Sequence, residues 1–247
     1  MKYIFLLSFF VVLNCLQKPI TLTNSNKTII KPAVKQNNCN RTRTICKNCI
    51  PIKHTWVDGI SRKHHNRFKP VIYLYPEEPM DILVQIKLTN SEFTTIYPRF
   101  NEKNTWNVHA EPNGDIYIKD RKYPYLFWEA NSYDLVDTNE GFLVSDEEAE
   151  KFLEEKLSIL GLNDKEKTDF ITFWLPVLLK NKLSLCSFQT QKYFDTMELN
   201  VTPKPDSMIR IFLAIKKLDA PINAKEQKLE SVERKGFTVI EWGGSDI

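Results

Sequence analysis

Ile82, Val84, Ile86 and Leu88 occupy every second position with polar residues between them, the period of a strand that buries one face. The same period runs through Trp106, Val108 and Ala110. Asn113-Gly114 then supplies residues suited to a tight turn, and Ile116 and Ile118 return, so residues 105–119 read as a hairpin. Upstream, Val71 to Tyr75 lies between Pro70 and Pro76 and reads as a short buried strand. Phe93 to Tyr97 is a further strand candidate, and Tyr123 to Trp128, aromatic on both faces, reads as a central strand. Five or six short strands in about sixty residues predict a β-sandwich or a curled sheet.

After residue 144 the period lengthens. Ser145-Asp146-Glu147-Glu148 has the spacing of a capping box. Phe152, Leu153, Leu157 and Leu160 follow as a helical stripe that ends at Gly161. Asn163-Asp164 opens a second helix through Phe170, Phe173, Trp174, Val177 and Leu178, which Pro176 is expected to kink or shorten. Strands resume at 183–188, 193–201, 208–216 and 237–242. Strands, two helices and strands again predict the α+β class, an antiparallel sandwich-like domain with two packed helices spanning residues 68–247.

The amino terminus has a different character. Lys2 precedes an apolar run from Tyr3 to Leu13, too short for a mature membrane span and patterned as a signal peptide over residues 1–17. An extracytoplasmic location is therefore expected. Val12-Leu13-Asn14-Cys15 resembles a bacterial lipobox, although Asn14 replaces the usual small residue. Lipidation at Cys15 would anchor the chain to a membrane face, whereas cleavage nearby would release it as a secreted protein.

Residues 18–67 are rich in Asn, Thr, Lys and Pro, lack a sustained period and read as an irregular tether. The net charge of +3 over 247 residues conceals an asymmetry. Between Leu16 and Lys69 twelve Lys/Arg face one acid, Asp58, whereas residues 70–247 carry 21 bases and 30 acids. A basic arm on an exported chain points to an anionic membrane surface as partner, and nucleic acid is not expected. Asn26, Asn40 and Asn200 begin glycosylation sequons that matter in a eukaryotic source.

Four cysteines remain after export: Cys39, Cys46, Cys49 and Cys186. In an oxidising compartment they predict two disulfides with three pairings open, Cys186 tying the tether to the domain. The competing reading is a zinc site at Cys46, Cys49 and His54, joined by Cys39 or by His64 and His65.

Seven scattered glycines form neither a phosphate-binding loop nor a dinucleotide fingerprint, and no hydrolase elbow or His-Glu-x-x-His occurs, so no cofactor is expected. His109, the one histidine beyond the tether, falls on the polar side of the hairpin and reads as a surface residue. The acids from Asp146 to Glu155 fit a helix start and its solvent face. Glu129 follows Trp128 and Glu241 precedes Trp242, each at a strand end. Two carboxyls beside aromatic rings are what glycoside hydrolysis requires, and tryptophan faces also stack on sugars. The blander reading has both glutamates bracing the sheet, for instance through Arg210 or Arg121.

Several strings recur together: Lys69-Pro-Val-Ile-Tyr-Leu-Tyr-Pro76, Tyr125-Leu-Phe-Trp-Glu129, Phe173-Trp-Leu-Pro176, Asn200-Val-Thr-Pro-Lys-Pro-Asp-Ser207 and Gly236-Phe-Thr-Val-Ile-Glu-Trp-Gly-Gly244. In these the chain resembles a group of exported or lipoprotein-like proteins of no assigned activity. The resemblance implies that residues 69–244 form one unit. The expectation is a surface module that binds a protein or glycan partner through Trp128, Glu129, Arg210, Glu241, Trp242 and neighbouring tyrosines. The alternative is a polysaccharide hydrolase using Glu129 and Glu241.

Overall fold

The computed structural model describes residues 65–132 and 136–247. The signal segment with Cys15, the sequons at Asn26 and Asn40, the cysteines Cys39, Cys46 and Cys49, and His54 and His64 all lie outside the described residues.

The alternating segments form strands where their patterns place them. β1 (His65–Tyr75), β2 (Met80–Leu88), β3 (Ser91–Tyr97), β4 (Thr105–Ala110) and β5 (Ile116–Ile118) come first. The hairpin closes as the sequence predicts. Gly114 has φ +87°, its N–H donates to Glu111 O at 2.9 Å, and Asn113 Oδ1 accepts from Asp115 N. A Cβ at Gly114 would stand 2.6 Å from the Tyr75 ring, so space and φ both require glycine. The aromatic segment expected as one strand is split at Pro124-Tyr125 into β6 (Arg121–Tyr123) and β7 (Leu126–Ser132).

β8 (Phe142–Ser145) leads into α1 (Ala149–Ile159) and α2 (Asp164–Asn181). The capping box expected at Ser145 is not formed: Ser145 Oγ bonds the Glu148 carboxylate, and no side chain caps α1. The box occurs one helix later. Asn163 Oδ1 accepts from Glu166 N, and Glu166 Oε2 accepts from Asn163 N, each at 2.9 Å. α2 runs past Pro176, whose ring is exposed, to Asn181.

β9 (Leu183–Phe188) follows, then α3 (Gln191–Phe194), β10 (Met197–Thr202), β11 (Ser207–Lys217) and β12 (Thr238–Asp246). Tyr193 and Phe194, expected to open a strand, belong instead to the short α3 and are both buried.

Two sheets result. The larger has the order β3-β7-β1-β12-β11-β9-β8, and the smaller β10-β2-β4-β5-β6. Every named strand pair is antiparallel except β11–β12, and the first and last strands pair directly. One core lies between the sheets, with Ile72, Leu74, Trp128 and Val239 facing Ile82, Val84 and Trp106. A second core lies on the other face of the large sheet, where Val71, Tyr73, Ile240 and Trp242 meet Phe152, Phe170 and Trp174 of the helices. The helices, the large sheet and the small sheet therefore form three layers of an α+β fold.

Cys186 lies on the helix side of β9, 0% exposed, as a free thiol. Its side chain faces the core, and burial pushes its pKa well above the usual thiol range; Cys39, Cys46 and Cys49, the partners expected for it, lie outside the described residues.

Candidate functional site

The two glutamates singled out by the sequence do not meet. Glu241 is 2% exposed and sits between the sheets. Its Oε2 accepts from Arg210 Nε at 2.7 Å and its Oε1 from Trp128 Nε1 at 3.2 Å. Glu129 is one residue beyond Trp128, so the strand's alternation turns it to the opposite face of the same sheet. There its Oε1 accepts from Lys69 N at 3.3 Å. A layer of sheet separates the carboxylates, so they share no cleft and cannot serve as acid and nucleophile on one glycosidic bond.

Trp128 and Trp242 are both 0% exposed and are core residues, one on each face of the sheet. Trp242 packs on Phe170 with ring centroids 5.1 Å apart. Neither can present a face to a ligand. Arg210 is spent on Glu241 and on Met197 O, to which its Nη2 donates at 2.9 Å. Bracing the sheet, rather than ligand contact, is the role of this trio. His109 lies exposed with Nδ1 2.8 Å from Asp81, as its surface position predicts. Asn200 is exposed on β10. No group of three His, Cys, Asp or Glu placed to hold a metal occurs among the described residues.

What Glu129 does border is a concave aromatic site. Lys69, Tyr97, Tyr123, Pro124, Tyr125, Phe127 and Phe173 line it with Glu129, enclosing about 430 Å³. β3 and β7 lie at the end of the large sheet remote from β8 and β9. Their register sets Tyr97 beside Phe127 and Thr95 beside Glu129, which puts Tyr97, Phe127 and Glu129 on the helix-side face. α2 contributes Phe173 from the flank. The sheet edge thus keeps an apolar face that the helices leave uncovered.

Local geometry arms this face with charge. The β1 ladder shifts register between Arg67 and Val71, and inside that bulge Lys69 takes φ +49°, a left-handed conformation that costs a lysine about 1–2 kcal/mol. The bulge aims Lys69 across the site, with Nζ 5.0 Å from the Phe173 ring centroid, within cation–π range. At the other end Arg121 lies over two rings, its Cζ 5.7 Å from Tyr97 and 5.1 Å from Tyr123, and Nη2 donates to Tyr97 Oη at 2.6 Å. Tyr97 and Tyr123 meet edge to face at 5.8 Å, and Tyr97 is 47% exposed. The floor is braced from below. Tyr125 packs edge-on against Tyr73, whose hydroxyl donates to Asp169 Oδ2 at 2.9 Å, while Lys165 Nζ reaches the same oxygen at 3.1 Å. Burial first, and the Asp169 charge second, push the Tyr73 and Tyr125 pKa values up.

Glu129 and the neighbouring tyrosines were within reach of sequence reasoning. Lys69 and Phe173 were not, because a β-bulge and the approach of α2 bring them here, and neither leaves a mark in local periodicity.

No family model matches the chain, and no solved structure matches it. It is similar to a Butyrivibrio fibrisolvens protein described as "Uncharacterized protein in bglA 3'region", 44% identical over 64 residues that make up 26% of this chain and 66% of that protein. The matched stretch thus spans just under two thirds of that relative's length.

Proposed function

We propose that the protein is an extracytoplasmic binding module that takes a glycan at the aromatic site bounded by Tyr97, Tyr123, Phe173, Lys69 and Glu129. The observation that carries this reading is a concave, mostly aromatic surface with charged groups at both ends. Such a surface covers the apolar face of a sugar ring while the charged groups bond its hydroxyls. A site of about 430 Å³ is within the range of small-ligand pockets, sized for one or two sugar rings. Glu129 is the one carboxylate among the residues lining it, which supports binding over hydrolysis. The apolar segment from Tyr3 to Leu13 supports the extracytoplasmic placement.

The test is to incubate the full chain with a panel of immobilised polysaccharides, scoring retention and release of soluble fragments. Retention without fragments, weakened about ten-fold or more by Tyr97→Ala or Tyr123→Ala, is expected; ten-fold corresponds to about 1.4 kcal/mol. Release of fragments would make the protein a hydrolase. Retention that both variants leave intact, or none on any polysaccharide, would move the ligand away from this site or to a protein partner.

A further inference from the structure

β11 pairs with β12 from Ser207↔Thr238 to Ile215↔Asp246, but its other side meets β9 only from Leu213 onward. Half of a strand inside the large sheet therefore has an open edge. One hydrogen bond fixes its direction: Gln189 N donates to Phe212 O at 2.9 Å, so the backbone groups of Phe212 face away from β12. Backbone polar groups alternate sides along a strand, and those of Arg210 and Met208 face the same way. No backbone group meets them among the described residues.

The adjoining cleft, about 760 Å³, is bordered by four consecutive residues of this strand, Met208 to Ile211. Side chains of a strand alternate between its faces, so four in a row border one space only where the strand is seen edge-on. Glu198, Leu199 and Asn200 of β10, the outer strand of the small sheet, also border it. The cleft is acidic. Asp195, Glu198 and Glu230 line it, and the one base present, Arg210, is neutralised by Glu241 at 2.7 Å. Lys87 approaches Glu198 at 3.3 Å, but both side chains are more than half exposed, and such pairs are weak.

We infer that this cleft takes an extended, basic peptide segment of a partner protein, added to β11 as a further strand. The open stretch accommodates about five residues, a common strand length. Backbone bonds to Met208 and Arg210 hold the segment, and Lys or Arg at alternate positions, which share one face of the strand, meet Asp195 and Glu198 on the small-sheet side. The aromatic site lies at the far end of the same sheet, so the two surfaces are independent and Tyr97→Ala leaves this binding unchanged.

The probe is the capped hexapeptide Lys-Val-Lys-Val-Lys-Val, titrated into the full chain by calorimetry with amide exchange resolved at Met208 and Arg210. Both amides are expected to exchange fast in the free chain and to be protected in the complex. Methylating every backbone nitrogen of the peptide keeps its charge and is expected to weaken binding at least ten-fold. Asp195→Lys, an exposed change that leaves the far-UV spectrum native, is expected to weaken it at least five-fold. Equal affinity for the methylated peptide, amides already protected in the free chain, or no binding at millimolar peptide would each overturn the inference.

Discussion

Arg210 and Glu241 are direct neighbours in the β11–β12 ladder, the only parallel pair among the named strands, with Nε 2.7 Å from Oε2 and side chains 12% and 3% exposed. Trp128 Nε1 supplies a further donor to the carboxylate from across β1. A buried charge satisfied in this way is costly to orphan. Arg210→Met is expected to lower the unfolding free energy by about 3–5 kcal/mol, whereas Arg210→Met with Glu241→Leu loses much less. Urea denaturation of both variants checks this, and equal losses would show that the pair is not coupled.

The helix starts make opposite predictions. Asn163→Ala removes an observed cap and is expected to cost about 1 kcal/mol. Ser145→Ala touches a residue that caps nothing and is expected to stay within about 0.5 kcal/mol of the parent. Thermal unfolding of the two single variants decides whether the capping box sits where the hydrogen bonds place it.

Alkaline pH probes the tyrosines beneath the aromatic site. The Tyr73 pKa is raised in the folded protein, so its contribution to stability is complete below about pH 10, the unfolded value. Above that the unfolded chain releases a proton that the folded chain retains, and stability falls by about 1.4 kcal/mol per pH unit for this group. Tyr73→Phe is expected to lower stability at pH 8, through loss of the Asp169 bond, and to flatten the decline between about pH 10 and 12. An unchanged slope would mean that Tyr73 ionises freely in the folded state.

Cys186 offers a test of its redox state. Iodoacetamide is expected to leave its peptide unmodified in the native chain and to alkylate it fully in denaturant without reductant, because the thiol is buried but free. Resistance in denaturant until a reductant is added would restore the disulfide that the cysteine count suggests.

Much of the fold was legible because local periods coincide with burial. β2 alternates in sequence as it alternates in space, and Asn113-Gly114 turns where its chemistry demands. The helical stripes place Phe152, Leu153 and Leu157 on the core side. The candidate site was legible only in part, because the large sheet is covered on both faces over much of its area. In such a sheet a tryptophan within a strand can face either core, and alternation cannot say which. Trp128 and Trp242 looked like sugar-stacking rings for that reason. Glu129 and Glu241 looked like a pair because sequence carries no information on which face of a shared sheet each strand turns them to. Pro124 marks the break that opens the aromatic edge, whereas the aromatics on both faces of residues 123–128 predict one unbroken strand.

The direct pairing of β1 with β12 orders events during synthesis. Ile72 lies beside Glu241, about 170 residues later in the chain. Until β12 has left the ribosome, β1 lacks its neighbour, β11 lacks its parallel partner, and the large sheet is two fragments with bare inner edges. Such edges are the surfaces on which partly made chains aggregate. The large sheet therefore closes only when β12 is present, and removing that strand takes out the middle of the sheet rather than its margin.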